Sequence, residues 1–285
     1  MPKSAVESTL AKILYSIFSF LLSMLSFFLV LLIILQATFL NKNYILNMVN
    51  DSNYFSELSS EITEDLIDLG NASGINEAFF ENFVDEVILR EDVANYVENF
   101  YSGEDTSVDT THFKQYFREK LDAYIAENNL TVSQDARQNL TTTVKEAAGI
   151  YASRVQLPYF DLIAGYFHQL LAPVFYVTLA CAFVVLLIAV VMIATNKWKH
   201  RAYRYLSYST LGTLLMTLAV PVMAYCINKL DKLAIMSRAL FNLYYSCVTQ
   251  FLNAFFIAAA VLALLSALFI YMHYRSRKKA IIGAK

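Results

Sequence analysis

Residues 171–195 read LAPVFYVTLACAFVVLLIAVVMIAT, 25 positions without a charge. A helix needs roughly 20 predominantly apolar residues to cross a bilayer. This one is apolar on every side, which a helix on a water-facing surface is not. Ile13–Leu40, Tyr205–Ile227 and Val248–Met272 read the same way, each uncharged throughout. The four blocks define an all-α membrane protein with four transmembrane helices. The chain of 285 residues is 57% hydrophobic and 16% charged, with only 7 Gly and 4 Pro. Disordered, collagen-like and strongly basic nucleic-acid-binding chains have other compositions.

Lys3 and Lys12 precede the first block, as basic residues precede a signal peptide. Its apolar run far exceeds the roughly 7–15 residues of a signal core, so it is read as a retained signal-anchor. Basic residues near helix ends stay on the cytoplasmic side. The loop Asn196–Arg204 carries Lys197, Lys199, Arg201 and Arg204 with no acid, and the tail His273–Lys285 carries Arg275, Arg277, Lys278, Lys279 and Lys285. Both termini and this loop are therefore expected inside the cell. Residues 41–170 and the short loop 228–247 are expected outside. The larger segment contains no cysteine. Secreted eukaryotic domains of that size often use disulfides, so the expected setting is the cell membrane of a Gram-positive-like bacterium. Cys226 and Cys247 flank the short loop and are read as free buried thiols, with a disulfide between them left open.

The extracytoplasmic segment reads as a helical domain inserted between the first and second transmembrane helices. Phe55, Leu58, Ile62, Leu66 and Leu69 recur at three- and four-residue steps, the spacing of one helical face, with Gly70 expected to end the helix. Phe79, Phe80, Phe83, Val84 and Val87 suggest another stripe, then Val93, Tyr96, Val97 and Phe100, then Phe113, Phe117, Leu121 and Ile125. Thr131-x-x-Gln134 is a possible capping box before Leu140, Val144, Ala147, Tyr151 and Val155. Between Asn41 and Leu170 there are 22 acidic and 8 basic residues, a charge of −14; the rest of the chain carries +12. The acids are spread over all the stripes, as solvated helix faces require. As a binding surface they suit cations or a basic partner.

No catalytic constellation emerges. Asp105-x-Ser107-x-Asp109 begins like a calcium loop, but Thr110 and Tyr116 occupy the positions that need Gly and Glu, so a polar connector is expected, with Asp109 or Thr110 capping the next helix. His112, His168, His200 and His273 have no ligand spacing between them. Glu64/Asp65, Asp85/Glu86 and Glu91/Asp92 are read as solvated pairs, because neighbouring helical positions point roughly 100° apart. No cofactor, metal, nucleic acid or small-molecule substrate is inferred. The transmembrane blocks contain no ionisable Asp, Glu, Lys, Arg or His, which weighs against proton-coupled transport.

The blocks do offer packing seams. Ser16, Ser19, Ser23 and Ser26 follow a 3-4-3 spacing continued by Val30, Ile33 and Ala37. Ser209, Thr213 and Thr217, with Gly212 beside them, make a second seam, and Ala259, Ala263 and Ala267 a third. Small residues let helix backbones approach and their hydroxyls bond across the interface. These seams pack the four helices together, or face a protein partner or a second copy. Pro173 stands near the expected start of the second transmembrane helix. The loop 228–247 mixes Leu230, Leu233, Leu240, Phe241 and Tyr244 with Lys229, Lys232 and Arg238. It is expected to lie at the outer interface, its three cations turned toward the acidic domain.

One helix, a large outer segment and then three helices is a layout similar in outline to permease subunits of the bacterial FtsX and MacB type. The resemblance stops at layout. Those proteins are expected to carry mixed α/β outer domains, and the nine-residue inner loop here lacks an acidic coupling motif. No functional residue carries over. The expected function is that of a non-enzymatic envelope protein. Its outer domain binds or senses a partner, and its four-helix base, set in the lipid bilayer, serves as anchor or assembly platform. The alternative is a subunit of a transport complex, coupled to an ATPase.

Overall fold

A computed structural model describes residues 3–129, 133–158, 160–196, 198–227, 235 and 237–282. The described residues are overwhelmingly helical and include no strand. In chain order the helices are α1 (Lys3–Ala37), α2 (Lys42–Asp51), α3 (Tyr54–Ser73), α4 (Glu86–Ser102), α5 (Thr111–Glu127), α6 (Gln134–Val155), α7 (Phe160–Thr195), α8 (Lys199–Ile227) and α9 (Arg238–Ile282). A one-turn 3-10 helix, Glu77–Phe80, lies between α3 and α4.

The chain divides into two compact units. One comprises Met1–Asn41, Leu171–Leu233 and Val248–Lys285; the other comprises Lys42–Leu170 and Ala234–Cys247.

The first unit holds the apolar blocks. Four helices are long and apolar enough to cross a membrane, over Lys12–Ala37, Tyr166–Thr195, Lys199–Ile227 and Arg238–Lys279. Phe20, Leu179, Phe183, Leu215 and Leu264 are each more than 60% exposed. Side chains of this size crowd a soluble protein's interior, so their exposure along long helices suits surrounding lipid. The helices exceed the uncharged blocks. α8 begins at Lys199 rather than Tyr205, and α9 runs 45 residues from Arg238. The uncharged blocks mark polarity, whereas Lys and Arg are good helix formers and let the helices continue past the apolar limits. At 1.5 Å per residue α9 is about 68 Å long, more than twice the roughly 30 Å of a hydrocarbon core. Arg238–Cys247, the second half of the expected interfacial loop, is therefore the start of a helix. Pro173 and Pro221 lie inside α7 and α8, each removing one backbone donor.

In this unit α1 and α8 pair closely. Ser19 Oγ donates to the Tyr205 carbonyl at 2.8 Å, and Thr213 Oγ1 to the Ser23 carbonyl at 3.1 Å. Leu22, Met192, Tyr205 and Leu206 form a buried cluster beside them. The buried face of α1 runs through Ser19, Leu22 and Ser23 to Leu32 and Ile34, with buried Thr38 in the turn after it, while Ile33 and Ala37 are exposed. On a straight helix Ala37 stands five whole turns from Ser19 and shares its face, so the buried side of α1 changes along its length while the seven-residue spacing stays where it began. In α9, Phe255, Ala259, Leu262 and Ser266 are buried, and Ala263 and Ala267 are exposed. Strict four-residue steps drift by about 40° each, since successive residues turn roughly 100°.

In the second unit the helical stripes lie inward. Phe55, Leu58, Ile62 and Leu66 are buried on α3; Val93, Tyr96, Val97 and Phe100 on α4; Phe113, Phe117 and Leu121 on α5; Val144, Ala147, Tyr151 and Val155 on α6. Gly70 does not end α3. It is buried, and a Cβ there would stand 2.3 Å from the Phe80 ring. The helix continues to Gly74, whose φ of 77° suits the left-handed cap, and the Ile75 amide donates to the Gly70 carbonyl at 2.9 Å. Phe79, Phe80 and Phe83 belong to the 3-10 turn and the bend after it rather than to an α-helical stripe. The bend follows Asn82, at φ 52°, and Val87 is 72% exposed. Asp85 caps α4 through the Val87 amide at 2.7 Å, and Asp109 caps α5 through the Thr111 amide at 2.9 Å. Thr131 of the possible capping box lies outside the described residues.

Candidate functional site

The second unit contains an open cleft of about 350 Å³. Its floor is aromatic. Phe83 and Phe113 are buried with ring centroids 6.0 Å apart, and Phe113 stacks on Tyr151 at 4.5 Å and 17°. Half-buried Tyr116 forms a side wall, 5.1 Å from Phe83. The bend after the 3-10 turn delivers Phe83, the first turns of α5 deliver His112, Phe113 and Tyr116, and α6 delivers Tyr151.

The rim is acidic. Asp85, Glu91 and Asp109 are exposed, Asp92 is half-buried, and among the described residues no Lys or Arg lines the cleft. Asp92 Oδ2 accepts the Tyr151 hydroxyl at 2.6 Å. Burial raises the Asp92 carboxyl above its ordinary value; the Tyr151 hydrogen bond opposes that, Glu91 reinforces it, and His112 and Asp109 add smaller opposed effects. Burial and the Asp92 bond both push the Tyr151 phenol up. Asp109 is held low by its hydrogen bonds from Thr111. Lys114 acts on Asp109 from beside the cleft, and Lys120 Nζ lies 5.6 Å from the Tyr116 ring centroid; the cleft thus joins aromatic rings to an excess of negative charge, a pairing that recognises cations. Among the described residues no group of three or more His, Cys, Asp and Glu has the geometry of a metal site.

Asp92 is expected to oppose folding weakly when ionised. The folded state binds its proton more tightly than the unfolded chain does. Its contribution is therefore most favourable below the unfolded pKa, near 3.9, and declines as pH rises through the folded value. Asp92→Asn, which still accepts from Tyr151, should leave neutral-pH stability unchanged or raise it by up to about 1 kcal/mol. Hydrogen exchange of α4 and α6 at pH 5 and 7 measures this. Faster exchange in the variant at pH 7 would show that the carboxylate charge stabilises the fold.

The three acidic pairs of the sequence have separate structural partners. Asp65 Oδ1 and Oδ2 accept the Arg154 guanidinium at 3.0 and 2.7 Å, Asp85 caps α4, and Asp92 holds Tyr151. Asp105 accepts from the Ser107 amide and hydroxyl in a local turn. His200 and His273, 73 positions apart, meet where His273 Nδ1 donates to the His200 carbonyl at 2.6 Å.

Among the seam residues, Ser19, Ser23, Ser209, Thr213 and Thr217 are buried, Ser26 is half-buried and Ser16 is exposed. Thr213 Oγ1 also reaches the Ser209 carbonyl at 3.0 Å, and the buried Thr217 Oγ1 has no hydrogen-bond partner among the described residues. A Cβ at Gly212 would stand 2.5 Å from Ser23 Oγ. That oxygen can rotate away, so Gly212→Ala should cost under about 1 kcal/mol and Gly212→Leu about 2–3 kcal/mol. Thermal unfolding of the full chain in one detergent separates the two. Equal losses would mean that the close approach does not limit packing.

Lys229 and Lys232 lie outside the described residues. Arg238 is exposed, and its backbone amide, not its guanidinium, meets an acid: it donates to Glu61 Oε1 at 2.6 Å. The cysteines are free thiols, with Cys181 and Cys247 buried and Cys226 exposed. Comparison with protein-family models, curated proteins and solved structures finds no match.

Proposed function

We propose that the chain is a non-enzymatic integral protein of a bacterial cell membrane, whose acidic helical unit lies outside and binds or senses a protein partner through the cleft. The four apolar helices anchor it, with both termini inside. The observation that carries this reading is the cleft itself: an aromatic floor open to solvent beneath an acidic rim. A few hundred Å³ is the size of a ligand site, and exposed acids around aromatic faces suit recognition better than packing. The basic flanks of the apolar helices support the orientation.

A photoreactive residue at Ile88, on the cleft rim, tests the reading in native membranes, with Glu127 as control position. Crosslinking to one protein from the rim position alone is the expected result. No adduct from either position overturns it, and recovery of an ATPase instead favours the transport-complex alternative. The orientation has its own check in a Cys226→Ser background. Asp105→Cys should react with a membrane-impermeant maleimide in intact cells, and Arg277→Cys only after permeabilisation. The reverse pattern inverts the topology.

A further inference from the structure

We infer that the cleft receives a basic side chain, arginine above all, carried by an extended segment of a partner protein. This rests on the proposed binding role and names its chemistry. Four features point to it. Asp85, Glu91, Asp92 and Asp109 line the cleft, and its described lining residues include no Lys or Arg; with Lys114 acting only on Asp109 from beside the cleft, the acids outnumber the cations that offset them, and an entering cation adds to that balance. Half-buried Tyr116 supplies a ring that already attracts a cation, with Lys120 Nζ 5.6 Å from its centroid, and a planar guanidinium stacks on such a ring as an ammonium does less well. The same unit already holds guanidinium groups in these two ways. Arg90 lies over the Phe55 ring at 4.3 Å, and Arg154 is forked onto Asp65. The acids on the rim are exposed while the floor is buried. A free amine is best held in an enclosed pocket that covers most of its surface. A cleft open along its acidic edge instead admits a side chain from a backbone crossing the rim, which adds contacts to Glu91 and Asp109.

Binding of a fluorescent, terminally capped Gly-Arg-Gly-Arg-Gly peptide to the full chain in zwitterionic detergent tests the inference. The wild-type chain should bind it, with the matching Lys peptide weaker by about threefold and the Glu peptide silent. Glu91→Gln with Asp92→Asn, which removes the charge and keeps one acceptor oxygen on each side chain, should weaken binding at least tenfold. Tyr116→Leu should weaken it about threefold. Hydrogen exchange across α4–α6 confirms that the variants remain folded. Peptide binding equal in wild type and variants shows only diffuse attraction to the acidic unit and overturns the inference. Spermidine binding more tightly than the Arg peptide, with the same dependence on Glu91, Asp92 and Tyr116, overturns it in favour of a free amine. If the peptide is silent while Ile88 still crosslinks a partner, the guanidinium assignment fails and the binding role stands. If both are silent, both fail.

Discussion

Replacing Phe117 by alanine is expected to cost about 3–5 kcal/mol, enough to unfold most of a marginally stable unit. Phe117 is fully buried and its ring meets four others, Phe79 at 5.6 Å, Phe80 at 6.2 Å, Phe83 at 5.0 Å and Phe113 at 6.3 Å. Removing it takes away both transfer energy and the one ring that touches all four neighbours, and the 3-10 turn has few backbone bonds with which to hold its phenylalanines in place. Hydrogen exchange should rise across residues 77–121 while the α1–α8 pair keeps its protection. Phe117→Leu, which refills most of the volume, should cost about 1–1.5 kcal/mol. A loss under about 1 kcal/mol for the alanine variant would mean that the cluster collapses onto the gap.

Arg154→Met is expected to cost about 2–3 kcal/mol, less than the 3–5 of a fully buried pair because the guanidinium is about a third exposed. Arg154 Nε and Nη2 fork onto Asp65, and Nη1 reaches Glu61 Oε2 at 2.9 Å. Glu61 is only 15% exposed, so methionine leaves a poorly solvated carboxylate beside a second acid. Nearby Glu61 also adds to the burial that raises the Tyr54 phenol. Arg154→Lys keeps the charge but not the fork and should recover only part of the loss. Urea unfolding of the chain in micelles, followed by exchange in α3 and α6, measures the series. Equal stability of the Met and Lys variants would show that the fork geometry contributes nothing.

The sequence was most legible where one helix alone decides the pattern. On α3, Phe55, Leu58, Ile62 and Leu66 fall on the buried side because apolar spacing and helical period agree. It was least legible where a second segment decides. Gly70 resembles a helix stop, yet its lack of a side chain serves the Phe80 ring ten residues on; the stop is Gly74. The serines of α1 follow a seven-residue repeat, and which of them are buried is decided by the partner helix α8, whose Tyr205 carbonyl and Thr213 hydroxyl meet Ser19 and Ser23. The cleft had no signal of its own. Its parts come from residues 83–92, 109–116 and 151, and Asp92 reads as a solvated acid until Tyr151, 59 positions later, is placed against it. An acidic pair beside aromatic positions on two consecutive stripes was the nearest hint. The meeting of His200 with His273 has no sequence signal for the same reason, since ligand spacing is read along one helix and these two stand on different ones.

Glu61 also imposes an order in time. One of its oxygens is filled by Arg154, 93 positions later; the other accepts the Arg238 and Ala239 amides at the start of α9, 177 and 178 positions later. At roughly 5–20 residues per second of synthesis, the 177 positions separate Glu61 from its last donors by about 9–35 s. Within that interval, after the rest of Lys42–Leu170, the apolar helices α7 and α8 are made before the unit that began at Lys42 can acquire its final segment. A nascent chain halted at Ile227 contains Arg154 but neither amide donor to Glu61 Oε1, so this unit, begun early, is completed only when Ala234–Cys247 has been made, with Val248–Lys285 of the other unit still to come.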